Sequence, residues 1–592
     1  MTPTDPTLAV GAGPPDVEGA LAERVVAAVR AAFSRSITTE EALIRPAAAR
    51  RGADFQVNLA LSLAKELGRS PQEVAEAIAA HLEGDVLESV SVEGAGFLNL
   101  RVAAGWLTRR VAELAGDPRV GVPEASRRLR VVVDYSGPNV AKEMHVGHLR
   151  STILGDAIVR ILRFVGHEVT PQNHLGDWGT PFGMLLEHLT ASDPDVDPDR
   201  LAIEDLNRFY QEARQRFDAD PAFADQARRR VVALQAGDER TVKLWQALVA
   251  ESQRHFERVY QLLGVLLAPA DSRGESSYNA SLPTVVDEFG STGRLVESDG
   301  ALCVFPAGFL GREDTPVPLI VKKGDGGYTY DTTDLAALRY RLRDLQADMV
   351  IYVVGAPQQL HFDLIFAAAR EAGWLDGGAV PRFCGFGSVL GEDGKVLRSR
   401  TGGGVRLVDL LEEAVDRAAA LIAVRGDLVP AQRAGIARAV GIGAVKYADL
   451  SNSRERNYVF SFDRMLAMDG NTAVYLQYAN ARIRSVLRKA EQGERERHGP
   501  LALDHDAERA LVLKLTQFPA VINATVASLE PHRLTTYLDD TAVLFSAFYE
   551  RCPVLAAPDA DQRRSRLILC QLASDTLTLG LDLLGIESPE RL

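Results

Sequence analysis

The stretch Val131-Val-Val-Asp-Tyr-Ser-Gly-Pro-Asn-Val-Ala-Lys-Glu-Met-His-Val-Gly-His148 constrains the fold more than any other part of the chain. The uncharged run Val131 to Val133 reads as a strand buried on both faces. It leads into Ser136-Gly137-Pro138-Asn139, a cluster of turn residues. From Arg150, the apolar residues Ile153, Leu154, Ala157, Ile158, Ile161, Leu162 and Val165 recur at helical spacing until Gly166, which suits a helix end. Strand, loop and helix form the first half of a doubly wound α/β unit, whose ligands bind outside the carboxyl ends of the strands.

The loop has neither the Gly-x-Gly-x-x-Gly of a dinucleotide site nor the Gly-Lys-Ser/Thr of a P-loop. It offers His145 and His148 instead, three residues apart at a helix start and therefore on one side. There the imidazoles can donate to phosphate oxygens beside the free N–H groups of the helix N-terminus. Gly147 leaves room for a nucleotide against the backbone. With 11 His and 49 Gly in 592 residues, a His-x-Gly-His motif is expected by chance about 0.02 times, so accident is a poor explanation. Two other readings remain: histidines satisfied by the helix-start backbone, or half of a zinc site. Cys303, Cys384, Cys552 and Cys570 are scattered with no Cys-x-x-Cys pair, which weakens zinc.

Ser136-Gly-Pro-Asn-Val-Ala-Lys-Glu-Met-His-Val-Gly-His148, Leu149-Arg-Ser-Thr152 and Asn173-His-Leu-Gly-Asp-Trp-Gly179 together resemble the signature of the arginyl-tRNA synthetases, class I aminoacyl-tRNA synthetases. The resemblance continues in Tyr328–Ala337, Gly441–Ser451 and Asp469–Tyr478, and reaches Leu584–Arg591. It implies ATP-dependent ligation of L-arginine to tRNA(Arg) through an arginyl-adenylate, with release of AMP and pyrophosphate. It also implies a need for bound tRNA before the amino acid is activated.

In this likeness His145, Gly147 and His148 form the HIGH motif and bind ATP, with Lys142 as a mobile cation. The second ATP signature, Lys-Met-Ser-Lys-Ser, is degraded to Gly394-Lys-Val-Leu-Arg-Ser-Arg-Thr-Gly402, which leaves Lys395, Arg398 and Arg400 as triphosphate cations. Lys142, His145, His148 and Arg400 are the expected catalytic set. The resemblance places Tyr330, Asp334 and Gln358 around the substrate guanidinium, which needs fixed carboxylates. It places Asp134, Ser136 and Asn139 around the ammonium and carboxylate. Gly355-Ala-Pro-Gln358 departs from the family's Asp-x-Arg-Gln, keeping the Gln alone. Tyr475, Gln477, Tyr478, Arg482 and Arg484 fall in the segment that resembles the anticodon-binding helices, where aromatics beside cations suit unpaired bases. Core packing competes with that reading for each tyrosine.

The implied architecture is α/β multidomain: a Rossmann-like parallel-sheet catalytic domain, an N-terminal α+β domain and a C-terminal all-α bundle. The expected divisions are a mobile tail over 1–16 and a tRNA-contacting domain over 17–115. A catalytic domain follows over 125–443 with a helical insertion at about 193–263, and then an anticodon-binding domain over 444–592. Periodicity predicts helices over 21–33 and 71–81, with strands over 88–92 and 97–102. The sheet is expected to resume with Ala301–Phe305, Leu319–Val321 and Met349–Val354.

A net charge of −14 argues against indiscriminate nucleic-acid binding, so any RNA site must be a local basic patch. No apolar run approaches a membrane span, no signal peptide is evident, and four unclustered cysteines suit a reducing compartment, so the expected place is the cytoplasm. Expected partners are tRNA(Arg), L-arginine and ATP with Mg2+, with no protein-ligated metal, no membrane and a monomeric state. Beside a housekeeping enzyme stand two alternatives: a duplicated synthetase serving antibiotic resistance or tRNA-dependent biosynthesis, and a catalytically silent tRNA-binding protein. Intact Lys142, His145, His148 and Asp334 argue against silence.

Overall fold

A computed structural model describes residues 8, 10, 11, 13, 16–47, 52–397, 405–423, 430–490 and 501–592. At its centre is a five-stranded, wholly parallel sheet. In spatial order its strands are Val380–Phe386, Met349–Gly355, Arg130–Asp134, Glu168–Leu175 and Ser272–Gly274. The chain leaves the middle strand toward Glu168–Leu175 and later returns on the other side through Met349–Gly355. The topological switch point, where open α/β sheets hold their ligands, therefore lies between Asp134 and Val353–Gly355. Val131 to Val133 are buried, as their apolar run requires.

Two expectations about this sheet need correction. Ala301–Val304 and Leu319–Lys322 are strands, but they form a separate three-stranded antiparallel sheet with Val296–Ser298. An apolar run marks a strand without naming its partner. Conversely, Glu168–Leu175, which carries Pro171, Gln172 and Asn173, is a sheet strand that no apolar pattern announces.

The helical insertion lies between the strands ending at Leu175 and beginning at Ser272. Its helices are Leu206–Ala219, Pro221–Gln235 and Glu239–Leu263, and Asp205, Asp220 and Asp238 cap their N-termini.

The N-terminal region is α+β. A four-stranded antiparallel sheet, in order Ile44–Pro46, Phe55–Val57, Phe97–Val102 and Leu87–Glu93, packs with helices including Val17–Phe33 and Pro71–Ala79. Of the expected mobile tail, Leu8 is fully buried and Gly11 N–H donates to Glu124 O at 2.7 Å. Arg509 of a C-terminal helix pairs with Asp54, so the N-terminal and C-terminal regions touch.

The C-terminal region is helical, with Ala473–Lys489, Asp506–Leu515, Phe518–Ser528, His532–Arg551 and Ala560–Leu583. Helix Pro430–Leu450 runs unbroken across the expected boundary at 443/444, so composition changes there while the backbone does not. One stretch, Asp506–Ser528, is apolar and long enough to cross a membrane by composition, but it is divided between two helices and half buried. All four cysteines are buried and free.

Candidate active site

Past Asp134 the backbone turns through left-handed geometry at Ser136 (φ 75°) and Gly137 (φ 59°). Such a bend in a serine persists only where its surroundings hold it. Here they do: Ser136 N–H donates to Ser151 Oγ at 2.9 Å, and Thr152 Oγ1 donates to Ser136 Oγ at 3.0 Å. Ser136 Oγ also lies 2.7 Å from Tyr260 OH of the insertion. The Ser136 hydroxyl, expected to meet substrate, is thus engaged in holding the loop.

The loop delivers the chain to helix Val146–Phe164, with His145 as its N-cap. Gly147 N–H donates to His145 Nδ1 at 3.0 Å and His145 N–H donates to His148 Nδ1 at 3.1 Å. The backbone-satisfied reading of these histidines is therefore realised. It also prepares the chemistry, because a neutral ring that accepts at Nδ1 carries its proton on Nε2 as a free donor. Burial lowers the His145 pKa, with a further push from Lys142. Burial together with His145 takes His148 down to about 3. Both rings are therefore neutral Nε2–H donors at physiological pH.

Gly147 has a reason within the fold itself. A Cβ there would stand 2.7 Å from His145 Cε1, so the glycine makes room for the imidazole itself. Gly176 acts likewise for Asn139, whose Oδ1 would be 2.4 Å from such a Cβ.

A cavity of about 630 Å³ opens over the switch point. Asp134, Ser136, Asn139, His145, Gly147, His148, Tyr330, Asp334 and Gln358 all line it, so residues spread over more than two hundred positions meet as expected. Asp134 lines it with its Oδ2 already 2.9 Å from the buried Arg341 guanidinium. Asp334, on helix Tyr330–Arg343, has Oδ2 2.7 Å from His361 Nε2 and Oδ1 3.8 Å from His174 Nε2. Tyr330 is 68% exposed at the helix start, its ring 5.2 Å from His361.

Lys142 lies outside this lining, its Nζ 4.4 Å from the centre of the Tyr210 ring. Lys395 is exposed, outside the lining too, and its N–H donates to Asp393 Oδ1 at 3.0 Å. Arg398 and Arg400 lie outside the described residues.

Sequence reasoning missed Glu275, His174, His361 and Arg341. Glu275 lines the cavity, and burial, with repulsion from Asp334 and Asp177, raises it to about 7. It is aimed by Asp177 of the Asn173–Gly179 motif, which accepts from Ser276 N–H at 2.8 Å and Ser276 Oγ at 2.7 Å. Beside Asp134, which is paired with Arg341, two further carboxylates from separate segments, Asp334 and Glu275, thus share the cavity. A carboxylate pair is what a planar guanidinium can bridge.

The expected anticodon residues lie apart from this cavity, on helix Ala473–Lys489. Arg482 is exposed over the Tyr549 ring at 4.4 Å, and Tyr475 and Tyr478 are half-buried. Tyr475 OH is 3.0 Å from Ser546 Oγ, and Arg484 donates to Ser588 O at 2.9 Å. Gln477 corrects the expectation. It is wholly buried, and its amide donates to Ala439 O at 3.0 Å and Glu587 O at 2.8 Å, so it ties the bundle together and has no face for RNA.

Comparison with known proteins agrees with this geometry. Residues 112–462 match "tRNA synthetases class I (R), catalytic domain", 476–592 the "DALR anticodon binding domain" and 19–102 the "Arginyl tRNA synthetase N terminal domain". The chain is 53% identical over 579 residues to an arginine–tRNA ligase of Thermobifida fusca, covering 98% of this chain and 100% of the relative. It is 50% identical to one of Frankia casuarinae, covering 97% and 99%. Arginyl-tRNA synthetase of Plasmodium falciparum superposes with TM-score 0.82 at 29% identity, covering 98% and 100% of the two chains. That of Thermus thermophilus gives 0.77 at 26%, covering 97% and 99%.

Proposed function

The chain belongs to the arginyl-tRNA synthetases, ATP-driven ligases of arginine to tRNA, and we propose that the cavity between Asp134 and Gly355 houses both steps of that reaction. The observation that carries this reading is the meeting of two neutral Nε2–H histidines with the carboxylates Asp334 and Glu275 in one cavity.

In the first step the arginine carboxylate attacks the α-phosphorus of ATP, supplied as its magnesium complex, and pyrophosphate leaves. In the second, a ribose hydroxyl of the terminal tRNA adenosine attacks the adenylate carbonyl and AMP leaves. No protein nucleophile is needed, so the protein's part is alignment and stabilisation of charge on phosphate oxygens. His145 and His148 donate Nε2–H to those oxygens without changing protonation, beside the N-terminus of helix Val146–Phe164. Lys142, with Arg400 and its neighbours Lys395 and Arg398, supplies positive charge to the triphosphate. Asp334 and Glu275 receive the guanidinium, with Tyr330 and Gln358 at its edge. Asp134 and Asn139 face the α-ammonium and carboxylate.

Arg482, Arg484, Tyr475 and Tyr478 contribute to the tRNA surface. The enzyme works as a monomer in the cytoplasm, where its substrates are. The deciding experiment is aminoacylation of total tRNA with each amino acid in turn. Arginine alone is expected to be charged, and charging of another amino acid with arginine refused would overturn the reading.

A further inference from the structure

We propose that Asp331 and His361 form a positioning pair that fixes Asp334 for the substrate's side-chain cation, and so determine specificity for a guanidinium without being required to touch it. The inference rests on the reading of Asp334 as a guanidinium partner.

Asp331 and Asp334 are three residues apart on helix Tyr330–Arg343 and therefore share a face. His361, from helix Gln359–Glu371, enters between them, with Nδ1 3.3 Å from Asp331 Oδ1 and Nε2 2.7 Å from Asp334 Oδ2. One imidazole thus spans two carboxylates. Asp331 is buried and outside the cavity lining, and among the described residues its ionic partner is His361. It serves neither as a surface charge nor as a direct ligand.

Counting charge gives the pair its role. Burial would lower the His361 pKa, but hydrogen bonds and charge from Asp331 and Asp334 outweigh it and hold the ring up to about 9. The imidazolium therefore persists at neutral pH. Two carboxylates and one imidazolium leave a single net negative charge. Because Asp331 shares the ring with Asp334, the cluster as a whole keeps that negative charge, and Asp334 presents it to the cavity. The hydrogen bond at Oδ2 fixes the carboxylate plane and leaves Oδ1 on the side of His174 and Glu275.

A planar, forked cation gains from a carboxylate locked in one plane, whereas the point charge of an ammonium gains equally from a rotating one. The other groups facing this cluster are the Tyr330 ring, His174 on the sheet edge, and Glu275; the Phe362 ring abuts His361 from its own helix.

The test is arginine-dependent ATP–pyrophosphate exchange in the presence of tRNA, using the full chain, with lysine as competitor substrate. Asp331→Asn is expected to raise the arginine KM roughly ten-fold with the ATP KM and Tm near wild type. His361→Ala is expected to raise it similarly and to narrow arginine-over-lysine discrimination, while His361→Gln, which keeps a donor, recovers part of both. Above pH 9 the wild-type arginine KM should climb more steeply than that of His361→Gln, since titration of the substrate itself is common to both.

Arginine KM and discrimination unchanged in Asp331→Asn and His361→Ala would overturn the proposal. If Asp331→Asn fails to fold, equal values for His361→Ala, His361→Gln and wild type do so alone. Wild-type exchange without dependence on arginine would instead defeat the functional reading beneath it.

Discussion

Arg406 stands directly across an antiparallel bridge from His145. Val146 N–H donates to Val405 O at 3.0 Å and Leu407 N–H donates to Met144 O at 2.9 Å, while the Arg406 guanidinium pairs with buried Glu143. The backbone that carries the first histidine is therefore joined to the segment that follows the proposed second ATP signature.

Glu143→Gln removes the charge from this junction and leaves its shape. Arginyl-adenylate formation in single turnover should fall about ten-fold, equivalent to about 1.4 kcal/mol at the transition state, with tRNA affinity unchanged. A rate equal to wild type would show that the backbone bridge suffices without the ion pair.

His145→Ala or His148→Ala should each slow adenylate formation about ten-fold or more, because each removes a donor to the charge that grows on phosphate. The pH dependence is informative too. His148 is depressed to about 3, so it stays neutral as pH falls from 8 to 5. The adenylation rate should therefore show no limb near pH 6.5 arising from this ring, and loss of such a limb in His148→Gln would contradict the assignment.

Asp334→Asn should raise the arginine KM roughly ten-fold or more while Tm is kept. Glu275 adds a pH signature. Its carboxyl titrates at about 7, and the ionised form attracts the guanidinium, so arginine binds more tightly as pH rises through 7 and binding releases protons. Between pH 6 and 8 the dissociation constant should fall roughly ten-fold, measured calorimetrically in two buffers of different ionisation enthalpy. Glu275→Gln should flatten that dependence; a wild-type constant that is level over this range would exclude Glu275 from the guanidinium site.

On the helical bundle, Arg482→Ala should weaken tRNA binding and reduce its salt slope by about one. Gln477→Ala should act differently. It removes the side-chain amide that ties the Ala439 carbonyl of helix Pro430–Leu450 to the Glu587 carbonyl near the chain end, a loss of about 1–3 kcal/mol in stability, with normal tRNA affinity in the folded protein.

Lys446 joins the end of the insertion to the end of the helical region. Its Nζ donates to Leu263 O at 2.8 Å, at the end of the insertion, and to Gly585 O at 2.6 Å, near the end of the chain. A truncation near Val440 would sever helix Pro430–Leu450, so a point substitution is the cleaner probe. Lys446→Met should lower tRNA-dependent pyrophosphate exchange while tRNA still binds, a coupling loss rather than a binding loss. Unchanged exchange with tRNA would exclude this route.

The strand from Val131, the turn after it and the histidine pair were legible from sequence because each is a contiguous pattern with its own local physics: apolar run, turn residues, helical period. Asp334, Tyr330 and Gln358 were legible through the motifs that contain them. What lay beyond sequence was partnership. Ala301–Val304 and Leu319–Lys322 were recognisable as strands, but their antiparallel sheet depends on neighbours that no local period names. The change in composition at Ala444 suggested a boundary, and the structure runs one unbroken helix through that position. Glu275, His361 and Arg341 carry no motif of their own, and their roles come from carboxylates brought beside them by the fold. Periodicity and turn chemistry act between residues a few positions apart and so can be read along the chain. Ion pairing and burial act through distances of a few ångströms between residues far apart in sequence, and only the closed tertiary structure sets those distances.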